Sequence, residues 1–164
     1  MKLFILITSF LLDGIVSNYL PLNGIWNQLF TITSLIIVYP YFNGNKREYY
    51  KYSFILGIFY DLIYTDTIIF NAFMFLLMAR IIVKLASVLS DTYINLLIIT
   101  LMLIIVYRSV TYILMVITGN LIFDYHSLFK GIYNSILVNI IFVITMPLIT
   151  KFISKKFKIK KSSY

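Results

Sequence analysis

The chain has 164 residues, 61% of them hydrophobic and 12% charged, where soluble domains carry about 45–50% and about 25%. That excess, with a mean hydropathy of +0.94, excludes an ordinary soluble enzyme, a disordered chain and a nucleic-acid-binding module, and reads as an all-α integral membrane protein. The net charge of +8 comes from basic residues placed between and after apolar stretches, where they set topology and meet anionic lipid. With no cysteine there is no disulfide or thiol chemistry, and the single His126 cannot build a metal site unaided.

A membrane-crossing helix needs about 20 apolar residues, and six stretches qualify. Leu3–Leu20 follows Lys2 and looks like the start of a signal peptide, but no small-x-small site closes it, so it reads as a retained helix. Pro21, Asn23 and Gly24 separate it from Ile25–Phe42, which ends at Asn43-Gly44-Asn45. Tyr52–Tyr64 is the short one. Thirteen residues reach about 20 Å at a rise of about 1.5 Å each, so this span must draw on Glu48–Lys51 or on Thr65–Thr67. Phe70–Leu89 stops at Ser90-Asp91, and Tyr93–Thr118 at Gly119-Asn120. The aromatic stretch Leu121–Lys130 is expected at the interface, and Ile132–Phe152 forms the last span. The breaks are turn and helix-stop residues. Together they outline a compact six-transmembrane-helix domain over residues 1–152, with a basic cytoplasmic tail at 153–164.

The basic residues test this layout. With both termini in the cytoplasm, twelve of the fourteen Lys and Arg fall inside, leaving Lys130 outside and Arg108 within a span. Merging the third and fourth spans would put the last two basic clusters on opposite sides. No long hydrophilic segment offers a soluble domain, and neither an internal repeat nor inverted halves are discernible in the sequence.

Charges within hydrocarbon are expensive and face the bundle interior or water. Asp13, Asp61 and Arg108 lie within spans, and the expectation is that Arg108 pairs with Asp61 or Asp13, with Asp66 a further candidate if the third helix continues. A buried structural pair is favoured over a proton relay, which needs more titratable groups. Gly57 and Asp61, four apart, share a helix face, and a glycine there lets another backbone come close. Asn71-Ala72 opens the next span, where the amide can stitch helices or cap the turn. Asn134, Ser135 and Asn139 put polar glue on the last span, and Pro147 is expected to kink it and free the carbonyl of Val143. Lys151, Lys155, Lys156, Lys158, Lys160 and Lys161 suit anionic headgroups at about 1 kcal/mol each. No Walker loop, Gly-x-Ser-x-Gly elbow or His-Glu-x-x-His stretch occurs. No catalytic, cofactor-binding or metal-binding residue is expected; a lipid-modifying enzyme would need Asp13, Asp61 and Asp66 to converge.

Phe54-Ile-Leu-Gly57-Ile-Phe-Tyr-Asp61-Leu62-Ile-Tyr64, followed by Asn71-Ala72-Phe-Met-Phe-Leu, resembles the rod shape-determining protein MreD family. That family carries a glycine, then four residues on an aspartate followed by leucine, a short turn, and an Asn-Ala opening the next helix. Tyr133-Asn134, the following apolar run and Pro147-Leu148 before the basic end are similar to its last span. The layout agrees over the whole chain. Two departures stand out: the family often has a glycine just before Asn-Ala, where this chain has Ile69 and Phe70, and Pro21 lacks the acid usual beside it. The resemblance implies a non-enzymatic, multi-pass subunit of the cell-elongation machinery in the bacterial inner membrane. Its partners would be MreC and other elongation-complex proteins, coupling MreB filaments to peptidoglycan synthesis by RodA and its transpeptidase; a homodimer is compatible with it. On this resemblance Gly57, Asp61 and Asn71 are signature positions serving packing and partner presentation. The alternative is the substrate-binding component of an energy-coupling-factor vitamin transporter, whose fold the MreD family is thought to share. Against it, the first span lacks the alanines four apart that dock such components, and the outer loops are short.

Overall fold

The computed structural model describes residues 1–19, 28–65, 67–89 and 92–156. These form six α-helices, with no strand among the described residues: α1 (Lys2–Tyr19), α2 (Phe30–Val38), α3 (Lys46–Tyr64), α4 (Phe70–Ala86), α5 (Tyr93–Ile117) and α6 (Tyr125–Lys156). A 3₁₀ turn, Tyr39–Phe42, continues α2.

Backbone geometry explains where the helices stop. Asn43 (φ 51°) and Gly44 (φ 76°) are left-handed, and Asn45 then caps α3 by accepting from the Glu48 amide at 3.2 Å. After α5, Gly119 (φ 75°) donates to the Val116 carbonyl at 3.1 Å and Asn120 to Met115 at 2.9 Å. This pair of bonds closes the helix end. The breaks expected at Pro21, Asn23 and Gly24 and at Ser90-Asp91 lie outside the described residues.

Three helix starts differ from the sequence expectation, and α4 ends at Ala86 and α6 at Lys156 rather than at Leu89 and Phe152. α2 begins at Phe30 rather than near residue 25. α3 takes in Lys46–Lys51, so the short third segment is completed from its N-terminal side and its nineteen residues reach about 28 Å. α6 begins at Tyr125, so half of the Leu121–Lys130 stretch is helical. The reason is a cap: the Asp124 carboxylate accepts from the amides of His126 at 3.1 Å and Ser127 at 2.9 Å. These three bonds with the Ser127 hydroxyl hold the exposed Asp124 below the usual carboxylate range.

Three helical hairpins, α1–α2, α3–α4 and α5–α6, pack around the short α2, which also touches α4, α5 and α6. All nine α2 residues are buried, among core side chains that include Ile5, Phe75, Met78, Leu103 and Val143. The polar distribution runs opposite to that of a soluble protein. Ser9, Asp13, Thr31, Thr33, Ser34, Ser53, Asp61, Asn71, Thr100, Ser135 and Asn139 point inward, whereas Leu3, Ile7, Leu11 and Ile15 of α1 and Leu137, Ile141, Ile144 and Leu148 of α6 point outward. Such an apolar outer surface suits a lipid solvent, and the inward polar groups all find hydrogen-bond partners. α5 and α6 are each long and apolar enough to cross a membrane. α6 runs unbroken through Pro147.

The N-termini of α1 and α3 are clipped together. Lys2 forms an ion pair with Glu48, and its ammonium lies 4.5 Å from the Phe42 ring centre and 5.4 Å from that of Tyr52.

Candidate functional site

The two inward carboxylates, Asp13 and Asp61, each meet a helix N-terminus. A helix start exposes amide groups without partners inside the helix, and in a lipid-embedded bundle side chains must take the place of water. Asp61, in the last turn of α3, does this for α4. Its Oδ1 accepts from the Asn71 amide at 3.0 Å and its Oδ2 from the Ala72 amide at 3.1 Å. The Asn71 side-chain amide and the Thr67 hydroxyl also donate to Oδ1, at 2.9 and 2.6 Å.

Gly57, one turn earlier on α3, makes this reach possible. A Cβ at Gly57 would stand 2.5 Å from Ala72 Cα, 2.6 Å from the Asn71 carbonyl oxygen and 2.7 Å from the Ala72 nitrogen. The α3 and α4 backbones thus touch where the carboxylate crosses. Asn71 extends the junction to α5, its Oδ1 accepting from the Tyr107 hydroxyl at 2.8 Å. Its side chain therefore stitches helices, while the cap of α4 is the Asp61 carboxylate. Gly57, Asp61 and Asn71 come together in one junction, and Tyr107, which the sequence reading did not single out, is its fourth member. A tyrosine beside Arg108 in an otherwise apolar helix was the available signal.

A second junction has the same design. Asp13 on α1 accepts from the Phe30 amide at 2.9 Å and the Thr31 amide at 2.8 Å, and from the Thr31 hydroxyl. Asn139 Oδ1 of α6 accepts from the Leu29 amide at 2.9 Å. At the other end of α2, the Tyr49 hydroxyl donates to the Leu35 carbonyl at 3.1 Å. Asp124 caps α6 in turn, so each hairpin has an aspartate at the start of its second helix. The sequence hid this repeat because Asp61 and the amide of Asn71 are 10 residues apart, whereas Asp13 and that of Phe30 are 17 apart.

The expected pairing of Arg108 with Asp13 or Asp61 is corrected by this geometry. The two acids are taken up by helix amides and hydroxyls, and among the described residues the one ion pair within 4.0 Å is Lys2–Glu48. Arg108 Nε instead donates to Ser135 Oγ at 2.8 Å, and that hydroxyl donates to the Gly131 carbonyl at 2.9 Å. Asp66 lies outside the described residues. Asp13 and Asp61 do not converge: each serves a different helix start.

Of the other candidates, Asn134 is half-buried on α6 and Pro147 lies within that helix. Lys151 and Lys155 are exposed near its end. Lys156 is the last helical residue, and Lys158, Lys160 and Lys161 lie outside the described residues. No group of three or more His, Asp or Glu able to hold a metal occurs among the described residues.

Departure from the family pattern is visible in the backbone. Ile69, next to the Asn-Ala step, is left-handed (φ 67°, ψ −3°), a conformation that glycine adopts without strain and a β-branched residue does not.

No curated protein and no solved structure matches the chain. A family model described as rod shape-determining protein MreD matches residues 1–156, which takes in all six helices and both aspartate junctions. The chain therefore belongs to the MreD family of bacterial membrane proteins that act in determining rod shape.

Proposed function

We propose that this protein is the non-enzymatic membrane subunit of the bacterial cell-elongation complex that binds MreC and helps couple MreB filaments to peptidoglycan synthesis. The observation that carries this reading is the family match over residues 1–156. The protein acts in the inner membrane as a six-span bundle with both termini in the cytoplasm, an arrangement supported by the basic clusters at Lys46–Lys51, Arg80–Lys84 and Lys151–Lys161. Its Gly57–Asp61–Asn71–Tyr107 junction keeps the helices in fixed register, so that helix faces and short turns present a constant surface to partner helices. The tail lysines hold the cytoplasmic end to anionic headgroups.

The test is a mild-detergent pull-down of the tagged full chain from its native membrane, followed by mass spectrometry. MreC and wall-synthesis enzymes are expected to accompany the wild-type protein, and to be lost when the junction is broken by Gly57→Ala. Recovery of an ATPase pair with its membrane coupling subunit would overturn this assignment in favour of a transporter component.

A further inference from the structure

Arg108 remains as a cation inside an apolar bundle with no salt-bridge partner among the described residues; the Asp13 carboxylate acts on it only from a distance. Its Nε is engaged by Ser135, and no carboxylate among the described residues lies within 4.0 Å of its guanidinium. Arg108 lines a cleft of about 210 Å³ between α5 and α6, together with Tyr107, Thr111, Tyr112, Ser127, Gly131 and neighbouring apolar side chains, and of its guanidinium nitrogens only Nε has a hydrogen bond among the described residues. The hydroxyls around it are already used within the fold. Thr111 donates to the Tyr107 carbonyl, Tyr112 to that of Asp124, and Ser127 to the Asp124 carboxylate. The guanidinium is thus the group with donors to spare, arranged as a planar fork that fits two oxygens of one anion.

Position and size narrow the occupant. Arg108 lies nine residues before the end of α5 at Ile117, about 13 Å along the helix, and the cleft extends from it towards the first turns of α6. Beside it, Tyr112, Phe123 and Tyr125 form an aromatic cluster, with ring centres 6.0 and 4.7 Å apart in successive pairs. Leu121, Ile122 and Phe129, near Phe123 and Tyr125 in the chain, are exposed. Aromatic rings with polar tips collect at headgroup level. A helix about 10 Å across does not enter such a cleft, whereas a phosphate group does.

We propose that the α5–α6 cleft is an anion site in which Arg108, positioned by Ser135, binds a phosphate group, supplied by a phospholipid whose headgroup enters between the two helices. The site is independent of which proteins the bundle binds.

The experiment uses the purified full chain in mild detergent, with native mass spectrometry and thermal unfolding as readouts. The probes are a phosphatidylglycerol, a phosphatidylcholine with the same acyl chains, and inorganic phosphate. The wild type is expected to retain phosphatidylglycerol roughly tenfold better than phosphatidylcholine and to gain thermal stability from it. Arg108→Gln loses both effects. Gly131→Leu is a second variant for the case in which Arg108→Gln does not fold. A Cβ at Gly131 meets nothing within 4 Å, so the leucine fills the cleft while leaving the arginine, and it too loses the lipid. Lys151→Gln with Lys155→Gln removes tail charge and retains the Arg108-dependent adduct. Protection by inorganic phosphate alone, lost in both cleft variants, assigns the same site to free phosphate. Adducts that survive in Arg108→Gln and in Gly131→Leu, equal retention of the two lipids, or a protein chain held at the cleft in place of lipid each overturn the proposal.

Discussion

Replacing Gly57 by alanine adds one methyl group at the tightest point of the α3–α4 contact. That carbon would stand 2.5–2.7 Å from Ala72 Cα, the Asn71 oxygen and the Ala72 nitrogen, where uncrowded carbon contacts lie at about 3.5–4.0 Å. All three neighbours are backbone atoms, so no rotamer change relieves the clash and α4 must move by roughly 1 Å. Overpacking of this kind costs about 1–3 kcal/mol. The same displacement stretches the amide bonds from Asn71 and Ala72 to Asp61, now 3.0 and 3.1 Å long, beyond useful range. One lost bond to a charged group adds about 1.5–3 kcal/mol, giving a loss of about 2.5–6 kcal/mol. Thermal unfolding in detergent and abundance in the membrane measure it. Gly131→Ala is the matched control: its Cβ has open space, and alanine improves the helix by about 0.5–1 kcal/mol. Adding Ala72→Gly should not rescue Gly57→Ala, because the clashing atoms are main-chain. Gly57→Ala as stable and as abundant as the wild type would refute the close-contact account.

Three further outcomes follow from the same geometry. Asp61→Leu leaves the Asn71 and Ala72 helix amides without an acceptor and should cost about 2–6 kcal/mol at about 1–3 per amide; Asp61→Asn retains one oxygen and should lose about half as much, read by unfolding of the two proteins side by side. Ile69→Gly relieves a left-handed β-branched residue and should raise stability by about 1 kcal/mol, seen as a higher Tm. Asp124 is depressed below its ordinary 3.8 by the Ser127 and His126 donors. Its contribution is therefore complete above pH 3.8 and disappears as pH falls through the lower folded value. Hydrogen exchange at the α6 N-terminus should accelerate only in that acidic window.

The sequence made the helices legible because lipid imposes simple rules: long apolar stretches, turn residues between them, and basic clusters at their ends. Asn43-Gly44-Asn45 and Gly119-Asn120 stop helices by left-handed geometry that their residue types already signal. The Gly57 and Asp61 spacing likewise announced a shared face. What stayed hidden were relations between distant residues. Nothing local says that Asp13 meets Phe30 and Thr31, that Asn139 reaches Leu29, or that Arg108 goes to Ser135. Opposite charges in hydrocarbon suggested an ion pair, but helix amides competed for the same carboxyl oxygens and took them. They are numerous, fixed by the fold, and cannot turn to water. Asp124 was missed as a cap because the aromatic residues around it read as an interfacial loop.

The two interior aspartates should not be equally important, and their surroundings say which matters more. Asp61 serves α4, a helix at one side of the bundle with Phe73 and Leu77 exposed. Asp13 serves α2, whose nine residues are all buried and which touches four other helices. Asp13→Leu strands the Phe30 and Thr31 amides and the Thr31 hydroxyl, at about 1–3 kcal/mol each, where no solvent can reach them. Moving α2 to find new partners would disturb its packing against every neighbour. Asp13→Leu is therefore expected to destabilise more than Asp61→Leu and to abolish assembly rather than weaken it. Asn139→Leu alone removes one acceptor from the α2 start, that of the Leu29 amide, together with the amide bond to the Ser135 carbonyl within α6, and should be milder. The double variant Asp13→Leu/Asn139→Leu should lose less than the sum of the two, because both single changes release the same helix start. Additive losses, or a milder effect at Asp13 than at Asp61, would mean that α2 is held by its apolar packing and that the carboxyl group is not its anchor.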